Sequence, residues 1–180
     1  MNKTDIEWAD MTWNPVVGCK RGCEYCYARR YAKRFGGYDK GDGTITTHCP
    51  LPRAELHQPL TITRRNGKTV NSPFPFGFEP TLLCYRLEEP QHINEPQTIF
   101  VGSMADLFGR WVPTRWIVEV LDACAAAPQH RYMFLTKTPE RYAQLDALAL
   151  LPHKDNFWYG STVTGKGSKR FGGSITLNTF

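Results

Sequence analysis

The sequence has no export signature. Its opening, MNKTDIEWADMTWNP, carries no basic start, no unbroken apolar run and no small-residue cleavage site, and no later stretch approaches the ~20 apolar residues of a membrane span. These absences predict a cytoplasmic protein that makes no use of a membrane. The chain has no internal repeat and no second cysteine pair to match its first cysteine cluster. Three of its six cysteines fall between positions 19 and 26, while Cys49, Cys84 and Cys124 are scattered. A disulfide framework fits neither that distribution nor a reducing compartment, so the clustered thiols point to metal.

With 180 residues, 41% hydrophobic and 22% charged, the chain has enough apolar material for one cooperatively folded domain. A net charge of +5 suits a polyanionic partner and is equally at home on a solvated surface. The helical spacing of Tyr27, Ala28, Tyr31, Ala32 and Phe35 predicts a helix over 25–35, ended by Gly36-Gly37, with Arg29, Arg30, Lys33 and Arg34 on its outer face. The segment 36–80 is rich in Gly, Pro, Asn and Thr and reads as an insertion, with a strand at 60–63 and a turn at Asn66-Gly67.

Beyond it the pattern alternates. Strands are expected at 98–102, 131–136 and 157–163, and helices at 113–127 and 139–148, each opened by a proline or threonine. Strand, helix, strand, helix, strand implies βαβ units and a parallel sheet, an α/β fold. Residues 1–163 form the domain on this reading, and 164–180 a divergent flexible tail poor in apolar periodicity.

Cys19-Lys-Arg-Gly-Cys23-Glu-Tyr-Cys26 is C-x3-C-x2-C, with Gly18 and Gly22 placed to turn the backbone tightly. A structural zinc site wants four protein ligands, whereas an iron–sulfur cluster held by three cysteines leaves one iron open for chemistry. Zinc remains the rival, with a fourth ligand drawn from His48, Cys49 or Cys84. The spacing favours the cluster, because zinc ligands more often come as two separated pairs.

The loop, with Tyr25 as the aromatic before the third cysteine, resembles the signature of the radical S-adenosylmethionine (SAM) superfamily. Further segments carry the likeness: Ile6-Glu-Trp8, Thr12-Trp-Asn-Pro-Val-Val-Gly-Cys19, Phe100-Val-Gly-Ser-Met-Ala-Asp-Leu-Phe108, Phe134-Leu-Thr-Lys-Thr138 and Trp158-Tyr-Gly160. Together they resemble a phage- and prophage-associated radical SAM-like family of unknown function. That resemblance implies a partial (βα) barrel, here incomplete at its C-terminal side. It implies a 4Fe-4S cluster on Cys19, Cys23 and Cys26, S-adenosylmethionine as second cofactor, Tyr25 on the adenine side and an external electron donor.

Groups after the C-terminal ends of parallel strands should surround such a site, which singles out Ser103, Met104, Asp106, Thr136, Lys137 and Thr138. Asp106 would hold ribose hydroxyls or the SAM amino group, or else cap a turn. Lys137 would pair with the SAM carboxylate or a substrate phosphate, or else reach solvent. Glu7, Trp13 and Asn14 precede the loop and could shape its pocket, and no histidine has ligand spacing. The function expected is cleavage of S-adenosylmethionine to a 5′-deoxyadenosyl radical acting on an unknown substrate, with nucleic acid or a nucleotide favoured by the charge. The alternatives are a non-catalytic zinc- or iron–sulfur-binding module attached to nucleic acid, and an inactive phage-gene remnant.

Overall fold

The computed structural model describes residues 1–49, 54–163 and 174–178. The chain opens with β1 (Asn2–Lys3), β2 (Met11–Trp13) and β3 (Val16–Val17), then α1 (Tyr27–Phe35). Two residue pairs, β4 (Tyr38–Asp39) and β5 (Ile45–Thr46), are followed by β6 (Ala54–Leu56), β7 (Thr61–Thr63), β8 (Thr69–Asn71) and β9 (Thr81–Leu83). Two short 3-10 turns then lead to β10 (Thr98–Val101), α2 (Thr114–Ala125), β11 (Arg131–Thr136), α3 (Glu140–Ala147), β12 (Phe157–Val163) and β13 (Ser174–Asn178).

The main sheet has the order β1-β2-β10-β11-β12-β13. Its four inner strands are mutually parallel; α2 and α3 join β10, β11 and β12, as the alternating pattern predicts, and β2 adds a fourth from the opening of the chain. The α/β reading therefore holds. The partial (βα) barrel that the resemblance implies does not follow from it: the described strands close no barrel, and β1 and β13 pair antiparallel at the two edges and end the parallel series. Strand β13 falls in the segment assigned to the tail. The rest of that segment, 164–173 and 179–180, lies outside the described residues.

The segment 36–80 is not one loop. It supplies β6 to a three-stranded sheet of order β3-β9-β6, whose other two strands flank the segment, and it forms two small hairpins, β4-β5 and β7-β8. Asn66-Gly67 makes the second hairpin's turn, with Gly67 at φ 76° and its N–H donating to Arg64 O at 2.8 Å.

Apolar residues recur along α2 at Trp116, Ile117, Val120, Leu121 and Cys124, all buried. They pack with Ile99 and Val101 of β10, Phe134 of β11, Tyr142 and Leu145 of α3, and Tyr159 of β12. Each such side chain contributes ~1.5–3 kcal/mol of burial. The core aromatics keep their polar ends bonded: Tyr142 donates to Gly160 O at 3.1 Å and Tyr132 to Ala127 O at 2.9 Å. Buried His130 accepts the Gln97 N–H on Nδ1 at 3.2 Å and so donates from Nε2 to Pro90 O at 2.9 Å, a structural tie. No helix among the described residues is long and apolar enough to cross a membrane.

Candidate functional site

Trp13 is fully buried at the end of β2, and its neighbour Asn14 reaches across to the end of β10. The Asn14 amide donates to Ser103 Oγ at 3.0 Å and accepts the Met104 N–H at 2.8 Å, which fixes the turn after β10. The chain then passes through β3 to Gly18, whose N–H donates to Met104 O at 3.2 Å in a parallel bridge opposite Ala105. Gly18 sits at φ +84°, and a Cβ there would lie 2.3 Å from Glu79 O, so only glycine lets the loop enter. The Cys19 N–H closes the stitch on Phe78 O at 3.0 Å.

The cysteine loop turns at Gly22 and ends as a helix cap. Cys26 is the N-cap of α1, its Sγ accepting the Arg29 N–H at 3.4 Å. The Arg29 side chain turns inward, donating to Cys19 O at 3.3 Å with its guanidinium 5.0 Å over Phe78. It therefore braces the loop, and the outer basic face expected of this helix is reduced to Arg30, Lys33 and Arg34.

The opposite wall is made by the ends of β10 and β11. Buried Asp106 accepts the Thr136 hydroxyl at 2.6 Å and the Lys137 N–H at 3.3 Å, and its Oδ2 pairs with Arg21 Nε at 3.5 Å. Arg21 also donates to the Thr138 hydroxyl, and the Thr138 N–H donates to Thr136 Oγ1 at 3.0 Å. A guanidinium from inside the C-x3-C spacer thus latches the cysteine loop to the strand ends. Lys137 Nζ donates to Tyr25 OH at 3.3 Å and stands 3.8 Å from Cys23 Sγ. Burial alone would lower the lysine, but the Tyr25 phenol and the Cys23 thiol outweigh it and raise its pKa.

Between these walls lies a cavity of about 250 Å³, and Cys19, Cys23, Cys26, Tyr25, Ser103, Asp106 and Lys137 all line it. Met104 and Thr136 line it too, whereas Thr138 stands behind. Glu7 is exposed and is not among the lining residues. Sequence reasoning missed Arg21, Tyr27 and Phe78. The first two could have been found, since both lie within or directly beside the cysteine motif. Phe78 had no such signal, arriving from the insertion.

Three thiols face the cavity, the donor type that zinc and iron–sulfur clusters take. Cys19, Cys23 and Cys26 are free thiols on one wall. Burial pushes the Cys19 thiol up against a partial offset from the Arg21 backbone N–H, with Asp106 and the other two thiols adding to the rise. Among the described residues, no three His, Cys, Asp or Glu side chains converge as ligands of one metal ion. His48, Cys49 and Cys84, weighed above as fourth ligands to zinc, do not line the cavity.

Comparison with known proteins corrects the resemblance drawn from the motifs. No radical SAM family matches the chain, and no curated protein or solved structure does. The family model that matches, over residues 3–171, is described as a protein of unknown function, DUF5131. A short cysteine spacing reports a local ligand arrangement and carries little information on ancestry, which is why the motif pointed to the wrong family. The chain belongs to the DUF5131 family of proteins of unknown function.

Proposed function

We propose that Cys19, Cys23 and Cys26 hold a four-iron, four-sulfur cluster and that the adjoining cavity binds S-adenosylmethionine for reductive cleavage. The supporting observation is that one loop's three thiols and the C-terminal ends of β10 and β11 face the same cavity. The architecture belongs to the proposal: parallel β2, β10, β11 and β12 would serve as the rim of a partial (βα) barrel, where strand ends collect ligand-binding groups. With both groups bound, the chemistry supplied is one-electron cleavage of the sulfonium to methionine and a 5′-deoxyadenosyl radical that takes hydrogen from a substrate.

The chain's own residues bind and orient. The Lys137 ammonium, kept charged by its neighbours, is the cation for the ligand carboxylate. Tyr25 offers its ring face, steadied by Lys137 at its hydroxyl. Phe100, Met104 and Leu135 supply the apolar lining that keeps water off the reacting atoms. Arg21 and Asp106 hold the loop in register with the strand ends. The electron comes from an external donor.

Anaerobic reconstitution with iron and sulfide tests the reading. The expected product is brown protein with broad visible absorption, lost in Cys23→Ala, that releases 5′-deoxyadenosine from S-adenosylmethionine under a reductant. Colourless protein holding one zinc sinks the cluster, and a brown protein that releases no deoxyadenosine sinks the cleavage.

A further inference from the structure

Helix α1 is built inside out for a core element. The residues it buries are Ala28 and Ala32, while Tyr27 and Tyr31 are 57% and 41% exposed. Large aromatics are among the costliest side chains to leave in water, and a helix that needed only to pack would bury them and expose the alanines. The exposed set is ordered. Tyr27, Arg30, Tyr31 and Arg34 occupy i, i+3, i+4 and i+7, one continuous stripe in which rings and guanidiniums alternate. Lys33 flanks it, and the helix carries no acidic residue.

The rings are held in place. Tyr27 donates its hydroxyl to Ser103 O at 2.5 Å at the cavity wall, and Tyr31 leans on Phe35 and Phe74 at centroid distances of 4.6 and 6.1 Å. Tyr25, half exposed at the same rim, continues the aromatic surface to the cavity mouth. The stripe spans ~10 Å along the helix, about three bases at the ~3.4 Å spacing of one strand.

We infer that this stripe is a binding platform for single-stranded nucleic acid, with bases stacked on Tyr27 and Tyr31, phosphates on Arg30, Arg34 and Lys33, and the strand led to the cavity past Tyr25. Fixed aromatic faces interleaved with cations are what a sequence-tolerant single-strand site requires. As a statement of substrate class this rests on the proposed chemistry of the cavity, but binding itself does not.

The test is fluorescence anisotropy of the full-length protein, without S-adenosylmethionine, with labelled 12-nucleotide DNA and RNA single strands over a range of salt. The expected result is binding whose logarithm falls linearly with log salt. Arg30→Glu/Arg34→Glu should weaken it about tenfold or more and flatten the slope by about 1 to 1.5. Tyr31→Ala should weaken it about tenfold while Tyr31→Phe binds normally. A melting curve checks that each variant folds. An abasic strand of equal length should bind at least about tenfold more weakly.

Absence of binding by the wild type at low salt overturns the inference. So does equal binding of the abasic strand, which would make the stripe a mere polyanion surface, and so does indifference to the double charge reversal. Deoxyadenosine release without strand binding would sink this inference alone, and strand binding without release would sink only the cavity chemistry.

Discussion

Asp106 sits at the point where the cysteine loop meets the sheet, and the donors it accepts from all belong to the chain: Thr136, Lys137 N–H and Arg21. Removing the carboxylate would leave a partly buried guanidinium and a buried hydroxyl without their acceptor, and loss of one member of such a pair is costly. Asp106→Ala should lower stability by about 2–4 kcal/mol in urea titrations, and Arg21→Ala by less because its head is partly in solvent. An Asp106→Ala protein as stable as wild type would remove the latch from the account. That Asp106 lies beside the site was legible from its position after a strand. Its partner was not, because nothing in the pattern says that an arginine in the C-x3-C spacer reaches it. A second carboxylate carries a pH dependence. Burial alone would raise the Glu89 carboxyl, but the Arg86 fork at 2.8 and 3.0 Å and the Met1 amine at 2.8 Å hold it below its usual range. A depressed folded-state pKa gives stability that is complete above the unfolded value of about 4.3 and is lost as pH falls through the folded one. Melting temperatures of wild type and Glu89→Gln should therefore differ at pH 7 and converge as pH drops below about 4.

At the level of elements, the observed capping duty of Cys26 and the ligand duty proposed for it are separable by substitution. As N-cap of α1 it accepts the Arg29 N–H, a task serine performs well and alanine cannot. Without iron, Cys26→Ser should melt at or slightly above wild type and Cys26→Ala about 1 kcal/mol below it, while both hold less iron after reconstitution. Equal iron content in Cys26→Ser and wild type would remove Cys26 from the ligand set. The two loop glycines should part company likewise. Gly18→Ala drives a Cβ into Glu79 O, whereas Gly22, at φ +77°, has open space around it. Gly22→Ala should cost only the ~1–2 kcal/mol of a left-handed residue, and Gly18→Ala markedly more, measured by denaturant unfolding. The elements that could be read from sequence are those long enough to show a period: α2, β11, α3 and β12 lie within two residues of where their patterns put them. Strands of two or three residues such as β4 and β6 show no period at all. Their existence depends on partners far along the chain, as when β6 pairs parallel with β9, and no local pattern encodes that.

On the scale of the whole molecule, the same distinction separates the site's composition from its setting. Of the residues expected around the cysteines, Ser103, Met104, Asp106, Thr136 and Lys137 line one cavity, because a parallel sheet must present its strand ends on one side wherever the strands come from, while Glu7, Trp13, Asn14 and Thr138 do not. The parallel series does not continue beyond these strands, because antiparallel β1 and β13 end it at both edges. The cavity is therefore walled by two bodies: the six-stranded sheet with its core, and the cysteine loop with α1, whose Ala32 packs with Val17, Phe74 and Leu83 in a second, smaller cluster. The ties that join them include Gly18 to Met104, Tyr27 to Ser103, Arg21 to Asp106 and Thr138, and Tyr25 to Lys137. A cluster on the loop, with a ligand bridging it to Lys137, would add to those ties in the folded state and in no other. Anything that binds only the folded state raises apparent stability with its occupancy. Anaerobic reconstitution should accordingly raise the melting temperature of the wild type, addition of S-adenosylmethionine should raise it again, and chelation should return it to the apoprotein value. Cys23→Ala should show neither rise, and Lys137→Ala should keep the first and lose the second. An S-adenosylmethionine shift that survives in Lys137→Ala would mean that its carboxylate is held elsewhere, and a first shift that survives in Cys23→Ala would place the iron on other ligands.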